Sequence, residues 1–182
     1  ANDEDLKSTI LYFYDLNLKS NYIINENNRI YLSGYFGRDN FGFAKEFGFD
    51  WGSITGTLRW NHNFSEKLFS NTSFIISNYS YKISIMDDID ISIRSEINDI
   101  NLKQDFTCYA NAQNTIKFGG NAIFHNILPG EIKVEEGFGF ESDEISRRRA
   151  IEWAAYVSNS QSISEKLKVY YGLRLALFSN VG

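Results

Sequence analysis

Leu167-Lys-Val-Tyr-Tyr-Gly-Leu-Arg-Leu-Ala-Leu-Phe178 alternates residue by residue between two kinds of side chain. The odd-numbered positions from Leu167 to Leu177 are all apolar or aromatic, whereas the even-numbered positions include Lys168 and Arg174. Because successive side chains of a β-strand point to opposite faces, the stretch predicts a strand with one wholly apolar face. That face runs over about 11 residues, which is longer than a usual soluble strand and sufficient for a tilted strand to cross a bilayer. The stretch therefore predicts a membrane-spanning β-strand.

The segment before this strand has the same character. From Ile151 to Ser162 apolar residues again alternate with polar ones, and the polar triplet Ser164-Glu165-Lys166 separates the two strands as a turn. Similar alternation recurs along the chain from about Tyr12, with clusters of turn-forming residues between the segments. The sequence therefore predicts an all-β fold, an antiparallel up-and-down meander of about eight strands that is part of a transmembrane β-barrel.

The breaks between the predicted strands alternate in kind. Short polar turns are expected near Glu26, Glu66, Asn111 and Glu165, and long loops at 40–52, around 87–90 and at 129–147. Outer-membrane barrels combine tight periplasmic turns with long extracellular loops. We therefore expect both chain ends to lie on the side of the long loops, which would be the cell exterior.

Two of the predicted strands are less regular. The strand from Phe69 to about Tyr81 has apolar residues on both faces, so the sequence does not assign its faces. In the next strand, isoleucines occupy odd positions as far as Ile97, and apolar residues occupy even positions from Ile100 onward. One extra residue near 98–99 would produce this change of phase, and it predicts a β-bulge there.

Composition excludes several classes of protein. Aromatic residues make up 16% of the chain and there is a single proline, a balance that favours strands and aromatic belts. No apolar run is long enough for a transmembrane helix, and the first residues lack the pattern of a signal peptide, so a targeting signal is expected upstream or already removed. The net charge of −5 and the absence of a basic stripe argue against a nucleic-acid partner.

No residue pattern predicts an enzyme, a metal site or a cofactor. Both histidines, His62 and His125, stand alone and are interpreted as structural or lumen-lining, and the lone Cys108 as a small hydrophobe on an apolar face. The run Asp87-Asp88-Ile89-Asp90 lacks the glycine and distal glutamate of an EF-hand loop. Gly172, at a predicted lumen position, is expected to tolerate serine.

The aromatic residues of the 40–52 segment are the candidate ligand-binding residues. Rings on an outer loop can stack on a sugar or on an apolar siderophore. The alternative, that these rings pack within the loop or on neighbouring loops, stays open. The candidates are Phe41, Phe43, Phe47, Phe49 and Trp51.

Several short segments of the sequence resemble the barrel strands and turns of TonB-dependent outer-membrane receptors, in the nutrient-uptake group that includes SusC-like proteins. They are Arg29-Ile-Tyr-Leu-Ser-Gly-Tyr-Phe-Gly-Arg-Asp39, Thr57-Leu-Arg-Trp-Asn-His62, Lys67-Leu-Phe-Ser-Asn-Thr-Ser73 and Tyr171-Gly-Leu-Arg-Leu175. The resemblance implies a bacterial outer-membrane barrel that imports a siderophore, a glycan, a cobalamin-like compound or another bulky nutrient, driven through TonB. It further implies contact with outer-membrane lipid and a surface lipoprotein partner.

This chain departs from such receptors in having no plug-like segment and far fewer strands than their roughly 22. We therefore expect residues 1–182 to be an internal section of a receptor barrel, with the plug and the remaining strands as partners and TonB contacted only through segments outside the chain. Two alternatives stay open. One is a complete small eight-stranded barrel with a structural or adhesion role, and the other is a soluble β-sandwich binding module.

Overall fold

Eight antiparallel strands form one sheet in the computed structural model, which describes residues 9–43, 46–86, 90–134 and 146–182. The order of the strands in the sheet is their order in the chain. Within the described residues, no helix is long and apolar enough to span a membrane. The predicted all-β meander is confirmed. Its strands are β1 (Ile10–Asn25), β2 (Asn28–Phe43), β3 (Phe47–Ser65), β4 (Leu68–Met86), β5 (Asp90–Tyr109), β6 (Asn114–Val134), β7 (Arg148–Ser164) and β8 (Leu167–Asn180).

Strands β1 and β8 lie at the two edges of the sheet. Strand β1 pairs with β2 and β8 pairs with β7, and within the described residues the two edge strands do not pair with each other. Unpaired strand edges expose backbone donors and acceptors that need partners inside a membrane. The described sheet is therefore open at both edges, and it is neither a closed eight-stranded barrel nor a two-sheet sandwich.

The tight turns lie where the sequence predicted them. Tight turns at Glu26, Glu66 and Glu165 and a short bend at 110–113 join the strands of the four hairpins at one end of the sheet. At the opposite end, Ile10 pairs with Gly42 and Asn180 pairs with Ala150. Both described ends of the meander therefore lie on the side of the long connections, as predicted.

One face of the sheet is apolar and exposed. Residues in direct register across seven strands form a continuous row on it, and the large side chains of this row are about half exposed. The opposite face is more polar, and its Ser73 and Thr107 are buried. An apolar face that is more exposed than the polar face is the inverse of a water-soluble protein and fits a sheet whose apolar face meets lipid. The row is Leu32, Leu58, Phe74, Leu102, Ala122, Trp153 and Leu177.

Aromatic rings border this apolar face beside the tight turns. Trp60 and His62 lie 5.4 Å apart between ring centroids, His62 and Phe64 4.4 Å, and Phe106 stacks on Phe118 at 5.0 Å. The Nε1–H of Trp60 donates a hydrogen bond to Asn28 Oδ1 at 3.0 Å. Amphipathic rings at this level are typical of the aromatic girdle at a membrane interface. His62 is therefore part of a girdle, in agreement with its predicted structural role.

The two faces of the sheet exchange polarity toward the long connections. Beyond Phe36 on β2 and Ile100 on β5, the apolar face turns polar, while the opposite face takes up isoleucines and aromatic rings. Outside the bilayer an outward residue meets water, so this inversion marks the edge of the lipid layer. We call the polar residues beyond this edge on the outward face the charged band. Its charged members are Arg38, Asp50, Lys82, Arg94, Glu96, Glu131, Lys133, Arg147 and Arg149.

The inversion explains the phase change in the fifth predicted strand. The pairing of β4 with β5 is continuous through Asn98 and Asp99, so the β-bulge predicted at 98–99 is wrong. Ile97 and Ile100 lie on opposite faces because the strand passes from the lipid layer into water between them. The register shift lies instead between β5 and β6 at Arg94 and Glu96.

The bulge at this register shift is in β6. Between the partners of Glu96 and Arg94, β6 carries an additional residue and passes through Gly130, whose φ of +137° favours glycine. Strand β6 then continues to Val134, so the long break predicted from 129 begins later. The predicted loop residues 87–89 and 135–145 lie outside the described residues.

The expectation for Gly172 is wrong. A Cβ atom at this position would lie 2.7 Å from the Val157 carbonyl oxygen and 2.7 Å from Ser158 Cβ. Polarity would be tolerated on this face, but the neighbouring strand leaves no space. We infer that serine at Gly172 requires β7 and β8 to move apart.

Candidate functional site

The segment 40–52 is a hairpin of two regular strands. Strand β2 continues to Phe43 and β3 begins at Phe47, and these two residues pair across the tip. The prediction of an irregular loop is therefore wrong. The side chains still alternate here, with large rings on one face and small or polar residues on the other. The glycines belong to the second face, and they are easily mistaken for loop residues because glycine is common in loops.

All five candidate aromatic residues lie on one face of this hairpin. Phe41 pairs with Phe49 and Phe43 with Phe47 across the hairpin, and the ring centroids of Phe41 and Phe47 are 6.4 Å apart. Phe49 is 4.6 Å from Trp51, and on β4 Tyr81 meets Phe49 edge-on at 6.3 Å. We call these residues the aromatic cluster. It consists of Phe41, Phe43, Phe47, Phe49, Trp51 and Tyr81.

The aromatic cluster lies at the end of the polar face that is remote from the tight turns. Down the same face of β3, Trp51 is followed by Ser53, Thr55 and Thr57, which are residues of a water-filled lumen rather than of a lipid surface. At the tip, Phe43 and Phe47 remain 38% and 39% exposed although Phe47 contacts Phe41. The rings thus support one another, and part of the area of Phe43 and Phe47 stays accessible.

Polar bonds on the outward face hold the hairpin together behind the rings. Arg38 Nε and Nη2 donate to the two carboxylate oxygens of Asp50 at 3.0 and 2.8 Å, and Asn40 Nδ2 donates to Asp50 Oδ2 at 3.2 Å. A two-pronged arginine–carboxylate pair fixes both partners in orientation. This pair joins β2 to β3 at the level of the aromatic cluster, on the face opposite its rings.

Nearer the middle of the sheet, the polar face carries a set of polar and charged groups that bond within and across strands. Tyr156 Oη donates to Asp105 Oδ1 at 2.6 Å, Lys103 Nζ lies 3.0 Å from Asp105 Oδ2, and His125 Nδ1 lies 2.8 Å from Asp99 Oδ1. His125 is therefore a lumen-lining residue, as predicted. The pairings of Tyr156 with Asp105 and of His125 with Asp99 are not visible in the sequence pattern, because they depend on the register between strands.

Metal-binding geometry is not found in the described part of the chain. Within residues 9–43, 46–86, 90–134 and 146–182, no three of His, Cys, Asp and Glu are grouped so that they could hold an ion. Cys108 lies in register with Leu68 and Ile116 on the apolar face, where the sequence predicted it.

Comparison with solved structures places this arrangement among barrel proteins. The chain is similar to the copper transporter OprC, with a TM-score of 0.72 and 11% identity over 90% of this chain and 28% of that chain. It is similar to BauA, the ferric preacinetobactin receptor of Acinetobacter baumannii (TM-score 0.61, 12% identity, 94% of this chain, 34% of that one). It is also similar to the translocator domain of the autotransporter NalP of Neisseria meningitidis (TM-score 0.55, 12% identity, 92% and 60%).

These likenesses establish the fold. No protein-family model matches the sequence, and no curated protein matches it. The chain spans less than two thirds of each of these three structures. The shared fold is that of bacterial outer-membrane β-barrels, which agrees with the predicted outer-membrane localisation.

Proposed function

We propose that this chain is a section of the barrel of a TonB-dependent outer-membrane receptor that imports a bulky nutrient. The observation that carries the proposal is the aromatic cluster, which lies on the inner face at the exterior end of an open barrel section. The open edges at β1 and β8 fit a larger barrel whose further strands pair there. The names of two similar structures, a copper transporter and a ferric preacinetobactin receptor, fit an uptake role.

The chemistry of the aromatic cluster favours a ligand with stackable faces. Rings spaced 4.6 to 6.4 Å apart on two strands present a broad apolar area, which suits a siderophore, a glycan or a compound of similar bulk. In this proposal the protein binds the nutrient and lets it pass through the barrel, and it catalyses no reaction. The plug, the remaining barrel strands, TonB and a surface lipoprotein are the partners that this role requires or favours.

Uptake by the whole protein tests the proposal. A strain without the gene and a complemented strain would be compared for growth on a panel of ferric siderophores, glycans and cobalamins, each supplied as the limiting nutrient. We expect one class to support growth of the complemented strain only, and to require TonB. Equal growth of the two strains on every compound would contradict a receptor role.

Removing a central ring should weaken nutrient binding. In the intact protein, Phe49→Ala and Trp51→Ala are each expected to reduce affinity for the nutrient identified by growth about ten-fold, because each removes a stacking surface. Titration calorimetry of the purified protein would measure this. The control is Trp60→Ala, which removes an equally large ring from the aromatic girdle at the other end of the sheet. A similar loss in the control would mean that the effect is structural.

The 182-residue chain alone should not bind TonB. The periplasmic side of the described sheet consists of short turns such as Glu66–Lys67, and the resemblance assigns TonB contact to segments outside the chain. A pull-down with the periplasmic part of TonB would measure binding, with the intact protein as the positive control. Retention of the chain by TonB at the level of the intact protein would contradict the assignment.

A further inference from the structure

A groove runs across the apolar face between β1 and β5. It has a volume of about 680 Å³, which lies within the range of small-molecule sites. Its floor is open because Gly34 and Gly56, which have no side chains, lie opposite each other in register on β2 and β3. Leu18, Leu32 and Ile76 are among the aliphatic side chains that line it. Because this face meets lipid, the groove opens toward the bilayer. Its aliphatic lining suits an acyl chain.

A polar cluster closes the exterior end of this groove. Asn78 and Asn98, which line the groove, donate through their Nδ2 atoms to Glu96 Oε1 at 3.0 and 2.8 Å. The other oxygen, Glu96 Oε2, accepts from Nη2 of Arg94 at 3.2 Å and from Nη2 of Arg147 at 3.0 Å. One carboxylate thus anchors two arginines at the point where the groove meets the charged band.

Each guanidinium group of this cluster has further N–H donors besides the one that bonds to Glu96. The side chain of Glu96 is 13% exposed, whereas those of Arg94 and Arg147 are 55% and 43% exposed. Glu96 lies beyond the edge of the lipid layer, and the hydrogen bond from Asn98, together with the paired arginines, holds the pKa of its carboxyl below the ordinary value. The carboxylate therefore stays charged and keeps both arginines oriented, with their remaining N–H groups facing outward.

The surrounding charge favours an anion. Among the charged-band side chains that the structure describes, basic groups outnumber acidic ones, although the chain as a whole carries a net charge of −5. The positive excess is therefore concentrated on the outward face, just above the groove. Arginine forks match the oxygens of a phosphate group more closely than lysine does.

We propose that Arg94 and Arg147 bind the headgroup phosphate of an anionic membrane lipid while the groove over Gly34 and Gly56 holds one of its acyl chains. Asn78 and Asn98 line the groove and bond to the carboxylate that holds the arginine pair, so a single amphipathic molecule can satisfy both. A soluble anion would leave the groove empty, and a neutral lipid would leave the guanidinium donors unmatched. The site is on the outward face, opposite the aromatic cluster, and it depends on the membrane location rather than on the receptor role.

Lipid binding to the intact protein in neutral detergent tests this proposal. Native mass spectrometry would count bound dioleoyl phosphatidylglycerol and dioleoyl phosphatidylcholine during titration. We expect the anionic lipid to be retained in preference, and the double variant Arg94→Gln, Arg147→Gln to lose about ten-fold of that preference. Arg59→Gln is the matched control, because it removes an exposed arginine from the opposite face.

A second variant tests the groove separately from the charge. In Gly34→Leu the new Cβ would have its nearest neighbour, the Thr55 carbonyl oxygen, at 3.9 Å, so the side chain can fill the groove without displacing backbone. We expect it to weaken retention of both lipids. Its control is Ala122→Leu, which places the same leucine side chain on the apolar face outside the groove.

The outcomes separate the proposal from its competitors. An unchanged preference in the arginine double variant, or an equal loss in Arg59→Gln, would overturn the headgroup assignment. Inorganic phosphate that binds as tightly as the lipid would reduce the site to one for soluble anions and would also overturn it. Gel mobility before and after heating would verify folding, and the single variants Arg94→Gln and Arg147→Gln, each expected to lose part of the preference, replace the double variant if it does not fold.

Discussion

Replacing Leu58 by arginine should lower the free energy of unfolding in lipid by about 2–4 kcal/mol. Leu58 lies on the apolar face in register with Leu32 and Phe74, near the middle of the apolar row, and it is half exposed. On a soluble sheet, an arginine at a half-exposed position would be nearly neutral. In a bilayer it brings a charge close to the hydrocarbon midplane, where a charge is costly.

Denaturant titration of the intact protein in liposomes would measure this cost. The matched control is Thr55→Arg, on the same strand but on the polar face, between Tyr35 and Ser77. We expect the control to cost less than about 1 kcal/mol, because a lumen position stays hydrated. Penalties of equal size at the two positions would contradict the assignment of the faces.

The period-2 alternation was sufficient to predict the class of fold and the turns. Strand β8 has a lipid face along its whole length, so its pattern keeps one phase. The pattern of strand β5 changes phase. Toward the tight turns Leu102 faces lipid, whereas toward the long connections the same face carries the charged Glu96. A change of phase within one strand therefore indicates either a bulge or the edge of the bilayer. Agreement among several neighbouring strands distinguishes the second from the first.

The candidate site was predictable in its composition and not in its geometry. Phe49 and Trp51 were identified because rings concentrate in one segment, but their contact with Tyr81 depends on the register between β3 and β4. The cluster around Glu96 gave no signal at all. Arg147 is 51 positions away in the sequence from its partner carboxylate, and only the fold brings them together.

The sequence pattern likewise does not reveal where the backbones of neighbouring strands pack closely. A pair of glycines within a strand, such as Gly119 and Gly120, is consistent with local curvature and predicts nothing more. In the fold, Gly119 lies opposite Asp105 on β5 and Tyr156 on β7, and a Cβ placed on it would collide with the Gln104 carbonyl oxygen. Alternation cannot distinguish such a glycine from Gly34, which has open space around it.

Replacing Gly119 by alanine should therefore lower the free energy of unfolding by about 1–3 kcal/mol. The new Cβ would also lie 3.0 Å from Asp105 Cα, and both obstacles are backbone atoms that can move only if β5 and β6 shift. That shift would disturb the 2.6 Å bond from Tyr156 to Asp105. Gly34→Ala is the control, with its nearest neighbour at 3.9 Å, and it should be neutral or slightly stabilising because alanine restricts the unfolded chain. The same liposome titration measures both, and an equal response of the two glycines would show that the close approach at Gly119 is not what limits the position.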